Sequence, residues 1–158
     1  MLMNIIDQTH RNVFLHPGEM VLAVEPTVAV TVLGSCISIT LFHQKLRVGA
    51  LCHAVLPQGN ETTPGKFVNQ AVNHMIGQFA ALKIQPHELV AKLFGGADMF
   101  NHVATEWSNR GVGAQNIREA VKSLRTVGLE AIASDIGGNQ GRKLVFYTHT
   151  GEVFIKLV

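Results

Sequence analysis

The sequence predicts an α+β fold, a layered sandwich of helices on mostly antiparallel β-sheet, of the α-β-β type. Three observations predict it: an opening third with β-type alternation, two later segments with helical spacing, and two closing apolar runs joined across "HTG". The resulting order, ββββαβαβββ, lets helices cover sheet that is built largely from hairpins. With 158 residues, 47% hydrophobic and 15% charged, the chain is expected to form a single domain over residues 1–158 around one core.

The first strands are expected near Val21–Val24, Val28–Leu33, Ile37–Phe42 and Arg47–Leu56, the last two joined by "HQK" as a hairpin. "PQGNETTPG" then reads as a loop in which Thr62 or Thr63 caps a helix with Pro64 in its first turn. That helix should reach about Lys83, because Phe67/Val68, Ala71/Val72, Met75/Ile76 and Phe79 recur at helical spacing. After Pro86, "HELVAKLF" is read as a strand leading into "GGADMF". A second helix is expected from about Gly113 to Val127, with Ile117, Ala120/Val121 and Leu124 on one side and Gly128 as its stop. "LEAIAS" reads as a strand, "DIGGNQGR" as a glycine-rich loop, and "KLVFYT" with "EVFIKLV" as a hairpin.

Composition narrows the function. The formal charge is +2, and the thirteen Lys and Arg are scattered singly, so no nucleic-acid partner is expected. "MLMNIIDQTHR" has too short an apolar run for a signal peptide, and the apolar stretch from Met20 to Phe42 is broken by Glu25-Pro26 and rich in Val and Thr. Strands in a cytoplasmic protein are the expectation. Two cysteines, Cys36 and Cys52, are too few for a disulfide framework, and a reducing compartment keeps both as thiols.

The stretch "VTVLGSCISIT" holds a thiol directly after a small-residue turn. Gly34 and Ser35 let the chain turn tightly, so Cys36 can face a cleft while neighbouring N–H groups point at a developing negative charge. The competing reading is a small buried hydrophobe. A nucleophilic thiol needs a base, and among eight histidines His53 stands out, on the apolar strand "VGALCHAVLP" that a hairpin returns beside the cysteine. A core histidine bonded to backbone is its alternative. Alternation sends Cys52 to the face opposite His53, where packing explains it. His10, His16, His43, His74, His87, His102 and His149 fall in loops, turns or helix surfaces, and most read as solvated.

No His-Glu-x-x-His or Cys-x-x-Cys occurs, so no metal and no cofactor are expected. The clusters "FGGADMF", "NRGVGAQN" and "DIGGNQGR" match neither a dinucleotide fingerprint nor a P-loop, and read as tight turns around a cleft. Trp107 with Phe100 and Met99 is either a partner patch or simple packing.

"VLGSCISI", "VGALCHAVLP", "AKLFGGADMF", "VGAQNIREA" and "DIGGNQGRKLVFYTHTGEV" together, in order and spacing, resemble the chemotaxis family CheD, the chemoreceptor glutamine deamidases. The likeness covers nearly the whole chain after about Pro17. It implies a three-layer sandwich, with a Cys-His pair and a threonine as the catalytic group. The family's cysteine falls on Cys36 and its histidine on His53, and Gly34 and Ser35 stand where oxyanion and substrate binding are expected. Some members read Thr-x-Gly-Leu-Gly-Ser-Cys, whereas this chain is one residue shorter, which in a regular strand flips Thr31 to the other face. A bulge at the turn restores its direction; Thr31 is therefore kept as the group that orients His53, since Val30 has no hydroxyl.

The resemblance also implies partners: chemoreceptor cytoplasmic helices as substrate, a CheC-type phosphatase as interactor, and contact with the membrane only through the receptor. Two other classes stay open. One is a non-catalytic chemotaxis adaptor, and the other a receptor methylesterase or transglutaminase-like enzyme. Methanol release or amine incorporation distinguishes the latter, and Cys36 with His53 favours an enzyme over an adaptor.

Overall fold

A computed structural model describes residues 10–99 and 111–158. The chain builds two sheets and two helices from strands β1 (Arg11–Phe14), β2 (Met20–Ala23), β3 (Thr27–Leu33), β4 (Ile37–His43) and β5 (Val48–Cys52), helix α1 (Val68–Ala81), strand β6 (Val90–Gly95), helix α2 (Val112–Thr126) and strands β7 (Ala131–Ile136), β8 (Arg142–Tyr147) and β9 (Val153–Leu157). One sheet has the order β2-β5-β4-β6-β7 and the other β1-β3-β8-β9. Pairing is antiparallel except between β1 and β3 and between β6 and β7.

Alternation along β4 and β5 explains the layering. Ile37, Ile39 and Leu41, with Val48, Ala50 and Cys52, face α1 and α2 and pack with Val72, Met75, Phe79, Ala120 and Leu124. The opposite face carries Leu51 and, from β6, Phe94, which meet Ala29, Leu33, Leu144 and Phe146 of the four-stranded sheet. The central strands β4 and β5 of the five-stranded sheet are thus buried on both sides along their full length. The expected single core is divided into two apolar layers, because a sheet with two covered faces needs one on each. Burying a side chain such as Phe79 or Phe146 contributes roughly 1.5–3 kcal/mol.

Two elements depart from the sequence reading. Helix α1 begins at Val68, not near Thr62, and its first amides are satisfied by preceding backbone, with Val68 N–H donating to the Leu56 carbonyl (2.9 Å) and Asn69 N–H to Pro57 (3.3 Å). Side chains of the helix's own first turn hold the loop, since Gln70 Oε1 accepts from Glu61 N–H and Asn69 Oδ1 from Gly59 N–H. Strand β1 was not expected at all; its burial is low, so it carries little periodic signal, and it is held by parallel pairing to β3. Among the described residues, no helix is long and apolar enough to cross a membrane.

Candidate active site

Strand β4 and the end of β5 bring Cys36 and His53 to one face. Ile37 and Ala54 exchange both backbone hydrogen bonds, at 2.9 and 2.8 Å, continuing the ladder in which Thr40 pairs with Leu51. The same register sets His53 opposite Ser38 and Val55 opposite Cys36. Cys36, Ser38 and His53 therefore share the face that looks toward the four-stranded sheet, with Cys36 and His53 at diagonal positions, a spacing of about 7 Å that a thiol and an imidazole can bridge. Cys36 packs against the inter-sheet layer, whereas Cys52 lies in the helix-side layer. Both are free thiols, Cys36 partly exposed and Cys52 fully buried.

Thr31 reaches this face from β3. It is completely buried, and its hydroxyl donates to the Leu15 carbonyl at 2.7 Å while lying 2.6 Å from His53 Nδ1. A hydroxyl has one proton. Having given it to Leu15, Oγ1 accepts from His53, so Nδ1 carries the imidazole hydrogen and Nε2 is left with its lone pair. The reverse assignment would leave the Thr31 and Leu15 oxygens 2.7 Å apart with no hydrogen between them. Strand β3 pairs with β8 in unbroken register from Val28 to Leu33, so any irregularity before Cys36 falls at the turn. Thr31 points inward by plain alternation with Ala29 and Leu33, and the turn at Gly34-Ser35 then delivers Cys36.

The turn is held by the "GGA" loop after β6. Gly96 N–H donates to the Cys36 carbonyl (2.8 Å) and Ala97 N–H to the Gly34 carbonyl (2.9 Å). Gly95 has φ +102°, and a Cβ there would sit 2.2 Å from the Cys36 carbonyl oxygen. Glycine is needed at that point for both conformation and space. The Met99 side chain packs over Gly34, close to where a Cβ would stand. Among the described residues, nothing accepts a hydrogen bond from the Ser35 or Cys36 amides.

Burial sets the protonation states. It pushes the Cys36 thiol above its ordinary value and His53 below its own; the Leu15 carbonyl and Glu19 oppose the latter shift, and His16 adds to it. His53 is 3% exposed. Near neutral pH the resting pair is therefore thiol and neutral imidazole, states in which a thiol can give its proton to an imidazole.

Three features escaped the sequence reading. Ser38, opposite His53, is buried with its hydroxyl unpartnered. Asn116 of α2 donates to the carbonyls of Ser35 and Val55. Its position between Gly113 and Ala120 on the apolar stripe was the available signal, since a lone amide on a buried helix face must find partners. His43, expected in solvent, is buried in the β4–β5 turn, where Nδ1 accepts from Leu46 N–H at 3.0 Å. Phe100 and Trp107 of the suggested patch lie outside the described residues; Met99 is 40% exposed. Among the described residues, no three His, Cys, Asp or Glu side chains gather in a way that could hold a metal ion. A cleft of about 420 Å³ lies further along β4, lined by Thr40, Phe42, Lys92 and residues 149–151, and includes neither Cys36 nor His53.

Residues 53–157 match the model of the family described as CheD chemotactic sensory transduction. The chain belongs to the CheD family. Its CheD relatives include the probable chemoreceptor glutamine deamidase CheD 2 of Geobacter sulfurreducens, 46% identical over 145 residues that cover 92% of this chain and 89% of the relative. The probable chemoreceptor glutamine deamidase CheD of Maridesulfovibrio salexigens is 40% identical, covering 92% and 91%. An archaeal CheD of the same description, from Thermococcus kodakarensis, is 39% identical, covering 80% of each.

Proposed function

We propose that the protein deamidates glutamine side chains of chemoreceptors to glutamate by thiol catalysis. The observation that carries the reading is the Thr31–His53 hydrogen bond, which leaves Nε2 as the basic nitrogen on the face shared with Cys36. The names of the CheD relatives supply the substrate class.

Thr31 holds His53 in the required tautomer. As Cys36 Sγ attacks the glutamine side-chain carbonyl carbon, His53 Nε2 takes the thiol proton. The carbonyl oxygen becomes an oxyanion within reach of the Ser35 and Cys36 amides, with Gly34 shaping the turn that exposes them. His53 returns the proton to the departing nitrogen, ammonia leaves, and a thioester remains. Water, deprotonated by His53, cleaves the thioester to give glutamate and restores the thiol. The chemistry needs only thiol, imidazole and amides, and proton transfer of this kind contributes about 10²–10⁴-fold.

The substrate glutamines lie on receptor cytoplasmic helices, which sets the reaction in the cytoplasm and brings the enzyme to the membrane only through the receptor. A CheC-type phosphatase is its second partner, which co-purification with such a phosphatase from the same cell tests. For the activity itself, a receptor cytoplasmic fragment incubated with the protein is followed by mass spectrometry. Conversion of glutamine to glutamate at defined positions is expected, and its loss in Cys36→Ala. Unchanged glutamines across the receptors of the same cell overturn the reading, and methanol release from methylated receptor would replace it with an esterase.

A further inference from the structure

Asn116 is fully buried on α2, and its Nδ2 donates to two backbone carbonyls, Ser35 at 2.9 Å and Val55 at 3.0 Å. Both partners are acceptors, so the amide's orientation is fixed by chemistry. These carbonyls belong to the two segments that carry Cys36 and His53, at the point where their ladder ends. Ile37 and Ala54 form its last rung, and Val55 N–H turns away to the Lys66 carbonyl. Asn116 supplies one more cross-link where backbone pairing stops.

The Ser35 carbonyl and the Cys36 N–H are two ends of one peptide unit. In a trans peptide they point in opposite directions, and the described chain contains no cis bond. Asn116 holds the carbonyl from the α2 side, within the helix-facing layer. The Cys36 N–H is thereby directed away from Asn116, beside its own thiol, and none of the described residues accepts from it. Asn116 Oδ1 is buried without a partner, so the side chain keeps a cost that an apolar residue in the same helix face would not have.

We infer that Asn116 is a positioning residue that presents the Cys36 amide as the oxyanion donor, by fixing the Ser35–Cys36 peptide and tying it to the segment after His53. It does not touch the substrate. The inference rests on the deamidase reading, and its consequence is specific: without Asn116 the peptide can rotate, and oxyanion stabilisation is lost while thiol and base remain.

The test compares wild type with Asn116→Ala in three measurements: receptor deamidation, alkylation of Cys36 by iodoacetamide, and reversible hemithioacetal formation with butyraldehyde, whose tetrahedral oxygen samples the oxyanion donors. Deamidation kcat is expected to fall about 10²–10³-fold with KM nearly unchanged, the loss typical of one oxyanion donor. Butyraldehyde affinity should fall about tenfold or more, while the alkylation rate and its pH dependence stay those of wild type. A parallel fall in alkylation would show a collapsed site and overturn the inference, as would unchanged kcat and aldehyde affinity. Should Asn116→Ala not fold, Asn116→Ser, whose hydroxyl is too short to reach both carbonyls, gives the same comparison. If wild type deamidates no receptor, the deamidase reading fails, and the aldehyde comparison still decides the role of Asn116.

Discussion

Thr31 and His53, from different sheets, meet through one hydrogen bond of 2.6 Å, and the Leu15 carbonyl on the other side of the hydroxyl gives that bond its direction. The threonine oxygen accepts from the imidazole without adding charge, and in the proposed mechanism it takes the orienting part usually taken by a carboxylate. Thr31→Val keeps the shape and removes the acceptor. Deamidation kcat is expected to fall about 10–100-fold, part of what the base contributes, while Thr31→Ser stays within a few-fold of wild type. Equal activity of the Val and Ser variants in the receptor assay would remove Thr31 from the mechanism.

Protonation follows from burial on both partners. Because His53 is held below its ordinary value, the acid limb of kcat/KM should lie below pH 6.5, with a plateau through neutrality. Cys36, pushed up from 9.0, should react with iodoacetamide slowly at neutral pH and accelerate only above pH 9. A pre-formed thiolate–imidazolium pair would instead alkylate rapidly from acid pH upward. Paired rate–pH profiles for deamidation and alkylation separate the two.

Local patterns made much of this legible. The alternation in "ISITLFH" and "VGALC" located β4 and β5, placed Cys52 opposite His53, and put His53 near Cys36 through a short hairpin. Long-range partners were not legible. The Leu15 carbonyl that directs Thr31 and the Asn116 amide that holds Ser35 come from elements 16 and 81 residues away, and no local period encodes such contacts. The start of α1 was misplaced for a similar reason, because Leu56 and Pro57 carbonyls cap it where a threonine side chain was expected. The one-residue spacing change before Cys36 was legible and pointed to the turn, and the unbroken pairing of β3 with β8 leaves the strand itself regular up to Leu33.

The two thiols should separate cleanly. Cys52 is fully buried among apolar side chains, and its pKa is pushed up to about 11. A thiol with a folded value above its unfolded one holds its proton more tightly in the native state, so its contribution is present below pH 9 and is lost as pH rises toward 11. The loss amounts to roughly 2–3 kcal/mol. Cys52→Ala should lower stability at neutral pH through the small cavity it leaves, yet flatten most of its alkaline fall, with deamidation retained; Cys36→Ala should abolish deamidation and keep the Cys52 share of the alkaline fall. Urea unfolding midpoints at pH 7 and pH 10 for both variants check this, and an unchanged alkaline slope in Cys52→Ala would contradict it.

Gly95 couples the loop after β6 to Cys36. At φ +102° an alanine is strained, and its Cβ would lie 2.2 Å from the Cys36 carbonyl oxygen, which cannot retreat without moving Cys36 itself. Gly128, after α2, gives the needed comparison, because it also has positive φ (+82°) but nothing within 4 Å of a Cβ. Gly128→Ala should therefore cost only the conformational strain, about 1–2 kcal/mol, and leave kcat intact. Gly95→Ala carries the same strain plus a backbone collision, so a further cost of about 1–3 kcal/mol is expected, with deamidation lost even where urea unfolding shows the protein still folded. If both variants lose equal stability and both keep full activity, the loop does not hold Cys36 in place, and the register of β4 against β5 alone must set the nucleophile's position.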